Sequence, residues 1–228
     1  NFGSPAVQVD NSRVLLTRCL LGVTSLGIGG GQCIGGQNAT IDVVEPRFDA
    51  AYAGIPAIAL NQCTLRLAGS SNSYVQGGAP FGGPASPAVQ ANGGTVRIDP
   101  AVALNPFVAG TPVGGSAAVT FASTPGSFVV GNNPNGVLTI TYTAAPGASL
   151  YGLLGVPAAP LPTPFGDALL DPNLFVVVTA TTVGGSGRHD VALPIPGGIP
   201  PGAAFATQGV VVQGGPPQLG IGCQFVVH

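Results

Sequence analysis

The stretch VLTITYT at 137–143 alternates apolar residues with threonine along most of its length. A period of two is the pattern of a β-strand with one buried face. Similar stretches of strand length follow residue 105, at 117–122, 127–130, 149–154, 174–182, 190–193, 204–213 and 219–227. Turn-forming Pro-Gly, Asn-Pro-Asn-Gly and Gly-Gly-Ser-Gly sequences separate several of them, and no amphipathic helical period of useful length is present. The pattern predicts an all-β fold, an antiparallel β-sandwich of immunoglobulin-like or jelly-roll-like kind.

The first hundred residues show shorter alternating stretches, which predict strands at 6–10, 14–21, 40–44, 64–68 and 95–99. The glycine-rich segment Gly27–Gly36 predicts a loop, and a Gly/Pro-rich connection is expected at 77–94. We therefore expect an N-terminal β subdomain at 1–100 and a C-terminal β-sandwich at 101–228. A compact single unit is the alternative.

The composition excludes several classes of partner. Only 6% of residues are charged, the net charge is -2, and the six arginines are scattered without any lysine. No basic stripe is available for nucleic acid or for anionic lipid, and no apolar run approaches the ~18 residues of a membrane helix. A weakly charged surface gives little repulsion between copies, so we expect self-association into a homopolymer.

The four cysteines are Cys19, Cys33, Cys63 and Cys223. Their even number and the lack of metal-binding spacing predict two disulfides, which are typical of proteins in oxidising compartments. Three pairings remain open, and we prefer Cys19 with Cys33 and Cys63 with Cys223. The chain starts at Asn1 without a signal-like leader, so we expect a processed protein that is secreted to the extracellular cell surface.

Four motifs follow one another toward the C-terminus: LYGLLG at 150–155, DPNL at 171–174, LPIP at 193–196, and Gln208. This order resembles an extracellular β-sandwich domain at the ends of predicted secreted proteins of planctomycetes and similar GC-rich bacteria. The resemblance covers the last third to half of the chain. It implies a bacterial, secreted β-sandwich, and it implies no activity.

Candidate catalytic groups are few, because His189 and His228 are the only histidines. Arg188-His189-Asp190 lacks the other elements of a kinase catalytic loop, so we predict a solvated hairpin tip there. Asp42, Glu45 and Asp49 lack calcium-loop spacing and are interpreted as a strand end near Arg47. We predict no enzyme activity, no cofactor and no metal site.

Carbohydrate binding is the alternative function. Sugar platforms need flat aromatic faces, and among the four tyrosines Tyr74 is the one candidate for an exposed platform. Asn38 lies in the single N-x-S/T triplet, which matters only in a glycosylating host.

We therefore predict a non-enzymatic structural subunit of an extracellular assembly, such as a filament, sheath or surface layer. The alternative is a secreted carbohydrate- or ligand-binding β-sandwich module. Val7, Val9, Val14 and Leu16 lie in β-favouring N-terminal segments. These segments could be donated to a neighbouring subunit, or they could pair within their own chain.

Overall fold

A computed structural model of the chain describes residues 4–22, 31–50, 54–78, 86–106, 111–133, 136–200 and 202–227. The regular secondary structure of these residues is β-strand. No helix among them is long and apolar enough to cross a membrane. The chain divides into a first unit, Asn1–Leu67 with Ser71–Ala122, and a second unit, Ala68–Ser70 with Ser123–His228.

The first unit is built from short parallel strands. In chain order they are β1 Val7–Asp10, β2 Arg13–Thr17, β3 Leu20–Gly22, β4 Ile34–Gln37, β5 Thr40–Val44, β6 Arg47–Asp49, β7 Ile58–Ala68, β8 Tyr74–Gln76, β9 Val89–Ile98, β10 Ala103–Asn105, β11 Val113–Gly115 and β12 Ala118–Phe121.

These strands stack into a β-solenoid with three faces. On the first face β1, β4, the start of β7, the start of β9 and β11 lie side by side. The second face holds β2, β5, the rest of β7, the rest of β9 and β12. β3, β6, β8 and β10 form the third face. Each of the first four circuits therefore adds one parallel strand to every face, and β11 and β12 add a fifth strand to the first and second faces among the described residues.

Apolar columns fill the interior of the solenoid, because parallel strands in register place equivalent residues above one another. On the second face Val14 pairs with Ile41, and Leu65 pairs with Val96. Ile41 and Leu65 are completely buried. The core thus extends along the axis of the solenoid.

The corner between the first two faces requires a left-handed backbone. Asn11, Asn38 and Gln62 occupy it in successive coils with φ of 49°, 51° and 54°, and Gly93 follows with φ of 73°. The Nδ2 of Asn38 donates to Oδ1 of Asn11 over 3.3 Å. Asparagine and glycine adopt this conformation more readily than most residues, which explains their use here.

The second unit is antiparallel. Its strands are β13 Gly126–Asn133, β14 Val137–Thr143, β15 Ser149–Thr163, β16 Gly166–Thr182, β17 Arg188–Pro194, β18 Ala204–Val212, β19 Gln218–Leu219 and β20 Cys223–Val226. One sheet has the order β13-β14-β17, and the other has the order β16-β15-β18-β19, with β20 also on β18. Ile140 and Tyr142 of the first sheet and Leu150 and Val211 of the second share one core.

The predicted antiparallel sandwich is therefore wrong, because the first unit is a parallel solenoid. Alternation along a strand shows which side chains are buried, but it does not show the direction of the neighbouring strand. The predicted boundary at 100/101 falls inside the first unit, between β9 and β10. Residues 34–36 of the predicted loop lie in β4, and 89–94 of the predicted connection lie in β9. Residues 23–30 and 79–85 lie outside the described residues.

The predicted disulfides are also wrong, because all four cysteines are free thiols. Cys33 and Cys63 are buried, and Sγ of each donates to a backbone carbonyl, that of Leu21 and Asn61 respectively, over 3.3 Å. Burial raises the pKa of the Cys33 thiol to about 11. A buried reduced cysteine packs as a small apolar residue, so an even count did not require pairing. The cysteines therefore no longer support secretion, which remains a prediction.

Candidate functional site

The N-terminal segments singled out for assembly pair within their own chain. Val7 and Val9 lie in β1 against β4, and Val14 and Leu16 lie in β2 against β5. Val9 is buried, and the other three pack against the solenoid core. This is the internal pairing that the sequence left open.

The predicted acidic cluster is spread over the solenoid. The Asp42 side chain is 3% exposed and lies 2.9 Å from Nη2 of Arg13 and 2.5 Å from Nε of Arg66. Glu45 occupies a corner, and Asp49 lies on the third face. No group of three metal-ligating side chains occurs among the described residues. Asp42 therefore joins neighbouring coils as the acceptor of two guanidinium groups.

Tyr74, the candidate sugar platform, lies half-buried in β8. Its neighbours in register on the adjoining coils are Arg47 and Ala103. A half-buried ring offers a smaller stacking surface than a ring that stands free.

His189 lies within β17, not at a hairpin tip, and His228 lies outside the described residues. Nε2 of His189 is 3.1 Å from Oγ1 of Thr179 in β16. Asp190 accepts hydrogen bonds from Thr141 over 2.5 Å and from Nε of Arg188 over 3.0 Å. Burial raises the pKa of Asp190, but these two hydrogen bonds and the Arg188 charge outweigh it, so the pKa lies below its ordinary value. The contacts join β14, β16 and β17.

Gln208 is 1% exposed, and both the nitrogen and the oxygen of its side-chain amide form hydrogen bonds. Its Nε2 donates to the carbonyl oxygens of Asp167 over 2.7 Å and Gly220 over 2.8 Å. Its Oε1 accepts the Leu169 N–H over 3.0 Å. The side chain thus fastens β18 to β16 and to the segment between β19 and β20, which is a structural role.

The hydroxyl of Tyr142 belongs to a second buried hydrogen-bond network. Its hydroxyl lies 2.8 Å from Oγ1 of Thr207, which donates to the carbonyl oxygen of Leu153 over 2.9 Å. Burial raises the pKa of Tyr142 to about 12, and the hydrogen bond with Thr207 only partly opposes this.

Alkaline pH should therefore destabilise the second unit through Tyr142. The folded pKa of about 12 exceeds the ordinary tyrosine value of about 10, so this contribution is complete below about pH 10 and falls as the pH rises toward 12. At about pH 11 we expect a loss of about 1 kcal/mol that Tyr142→Phe does not show. Urea denaturation of both proteins at about pH 8 and about pH 11 measures it. Equal losses in the two proteins would contradict this assignment.

Among the described residues, the most exposed apolar segment lies on β16. β16 is the last strand of its sheet and, among the described strands, pairs only with β15. Four consecutive side chains are exposed by 42 to 60%, and they are Leu174, Phe175, Val176 and Val177. We call this segment the apolar edge. An edge strand that is apolar and uncharged is a template for pairing with another strand.

A corner in the hairpin formed by β15 and β16 leaves this segment uncovered. Gly155 pairs with Phe175 but Pro157 pairs with Leu170, so residues 171–174 bulge opposite a single residue. Asp171 closes the bulge by accepting the Asn173 N–H over 2.8 Å. Beyond the corner the hairpin packs back on β19, where the Leu219 N–H donates to the Phe165 carbonyl over 2.8 Å.

An apolar groove adjoins the apolar edge. Leu154, which pairs with Val176, also lines this groove. The groove holds about 60 Å³, and its other walls include Leu138, Leu193, Ile195, Phe205 and Phe225. Leu154 therefore belongs both to the groove and to the strand pair that carries the apolar edge.

Comparison with known protein families, curated proteins and solved structures finds no match for this chain.

Proposed function

We propose that this chain is a non-enzymatic structural subunit that associates with further copies of itself. The observation that carries the proposal is the apolar edge, where Leu174 to Val177 stand uncovered on the last strand of a sheet. Desolvating such side chains, and pairing the free backbone groups of an edge strand, both favour association. A net charge of -2 leaves little repulsion between copies.

The polar chemistry supports the same proposal. Asp42, Asp190 and Gln208 hold neighbouring strands together, and Tyr142 is buried with its hydroxyl bonded. Groups engaged in this way supply structure. The carbohydrate-binding alternative has less support, because Tyr74 is half-buried.

The solenoid gives no support to a filament, sheath or surface layer in particular, and we do not propose these forms. Assembly through one sheet edge needs no more than a second chain. The proposal therefore concerns association itself.

A lysine in the apolar edge tests the proposal. We expect the purified chain to have a mass above the 22.3 kDa of one copy in light scattering, and we expect Val176→Lys to be monomeric. A lysine that pairing would bury must be desolvated, which opposes association. Val130→Lys is the matched control, because Val130 is 38% exposed on β13 of the same unit.

Light scattering at several concentrations gives the decisive comparison. A parent chain that stays monomeric at every concentration would refute the proposal. Equal association of the parent and Val176→Lys would show that the apolar edge is not the contact. Circular dichroism of each variant checks that the β-structure is intact.

A further inference from the structure

We propose that the partner of the apolar edge is the β16 strand of a second copy, paired antiparallel about a two-fold axis at Val176. This inference rests on the proposed function and specifies its contact. The orientation and the register of the contact both follow from the residues of β16.

The apolar edge is complementary to itself in this register. Val176 faces Val176 of the second copy, and Phe175 faces the second copy's Val177. Leu174 and Val178 flank these pairs, and Val178 is half-buried in its own core. Aromatic and β-branched pairs across antiparallel strands are among the pairs that stabilise sheets.

The acidic residues of β16 decide the orientation. Asp167 and Asp171 are its only charged residues, and both precede the apolar edge. Parallel pairing in register would bring the two Asp171 carboxylates to the same end of the contact, where like charges are destabilising. Antiparallel pairing about Val176 sends the two copies of Asp171 in opposite directions along the strands, so the carboxylates lie at opposite ends of the contact.

A two-fold axis also explains how the contact closes. Each copy uses the same strand, so one contact covers both apolar edges and leaves no such edge free for a third copy. The groove beside Leu154 then borders the contact in each copy, because Leu154 pairs with Val176. The expected product is a dimer.

Single cysteines in β16 test the register. Val176→Cys places two thiols opposite each other across the axis, so mild oxidation should give a covalent dimer. Ala180→Cys is the matched control, because Ala180 is also exposed and its two copies would be separated by eight residues of strand, about 27 Å. The parent chain under the same oxidation controls for the four native cysteines.

We expect several-fold more covalent dimer on non-reducing gels from Val176→Cys than from Ala180→Cys. Equal cross-linking of the two variants would indicate parallel pairing and would overturn the inference. An associated parent chain whose Val176→Cys variant does not cross-link would also overturn it, while the proposed function would stand. A monomeric parent chain would instead overturn the proposed function.

Discussion

Replacing Gln208 by leucine is expected to lower the free energy of unfolding of the second unit by about 3 to 5 kcal/mol. Leucine fills a similar volume but leaves the Leu169 N–H and the carbonyls of Asp167 and Gly220 without the amide that each of them bonds. A buried polar group that loses its partner costs about 1 to 3 kcal/mol. Urea denaturation measures the loss, and hydrogen exchange by mass spectrometry assigns it to peptides of the second unit.

Gln213→Leu is the control for this substitution, because Gln213 is exposed and should change stability by no more than about 0.5 kcal/mol. Gln208→Glu adds a test of the hydrogen bonds. Its carboxylate would face two carbonyl oxygens at neutral pH, and it would recover one donor when protonated in acid. A Gln208→Leu protein as stable as the parent would contradict the structural role of this amide.

The second large effect is expected from Gly94→Ala, which should destabilise the first unit by about 3 kcal/mol or more. Gly94 has a φ of 76°, and a Cβ there would overlap the backbone carbonyl oxygen of Cys63 on the coil beside it. The clash is with backbone, so a side-chain rotation cannot relieve it. Urea denaturation and hydrogen exchange of peptides in β7 and β9 report the loss.

Gly22→Ala is the matched control, since a Cβ on Gly22 meets no atom of the described residues within 4 Å. We expect it to be within about 0.5 kcal/mol of the parent chain. Similar stability of the Gly94→Ala and Gly22→Ala proteins would show that the coils at β7 and β9 are not stacked in this register.

Strand positions could be predicted from the sequence where alternation was regular. The stretches at 40–44 and 137–143 are β5 and β14. The solenoid could not be predicted in the same way, because its paired positions Val7, Ile34, Ile58 and Val89 are unequally spaced along the chain. Parallel pairing joins residues of different coils, and alternation within a strand contains no information about that pairing.

The candidate site could be predicted from the sequence only in part. The sequence predicted a strand at 174–182, and its uninterrupted run from Leu174 to Val178 was the available signal. Whether such a run is buried or exposed depends on the pairing of its neighbours, and here the register change between Gly155 and Pro157 determines it. The sequence pointed to Gln208 only through the resemblance to the planctomycete domain, and that resemblance gave no reason for its burial.

Stacking of equivalent corners makes the length of the first unit adjustable. Each coil bonds to the coil before it and the coil after it, as β4 does to β1 and β7. In such nearest-neighbour architectures stability is roughly a sum over repeats and their interfaces. If a coil with the Asn38 corner were duplicated, the extra coil would pack on the coils above and below it through surfaces like those that these coils now present to each other. The solenoid is thus a scaffold whose dimension along its axis evolution or an engineer can change one coil at a time, without redesigning the cross-section.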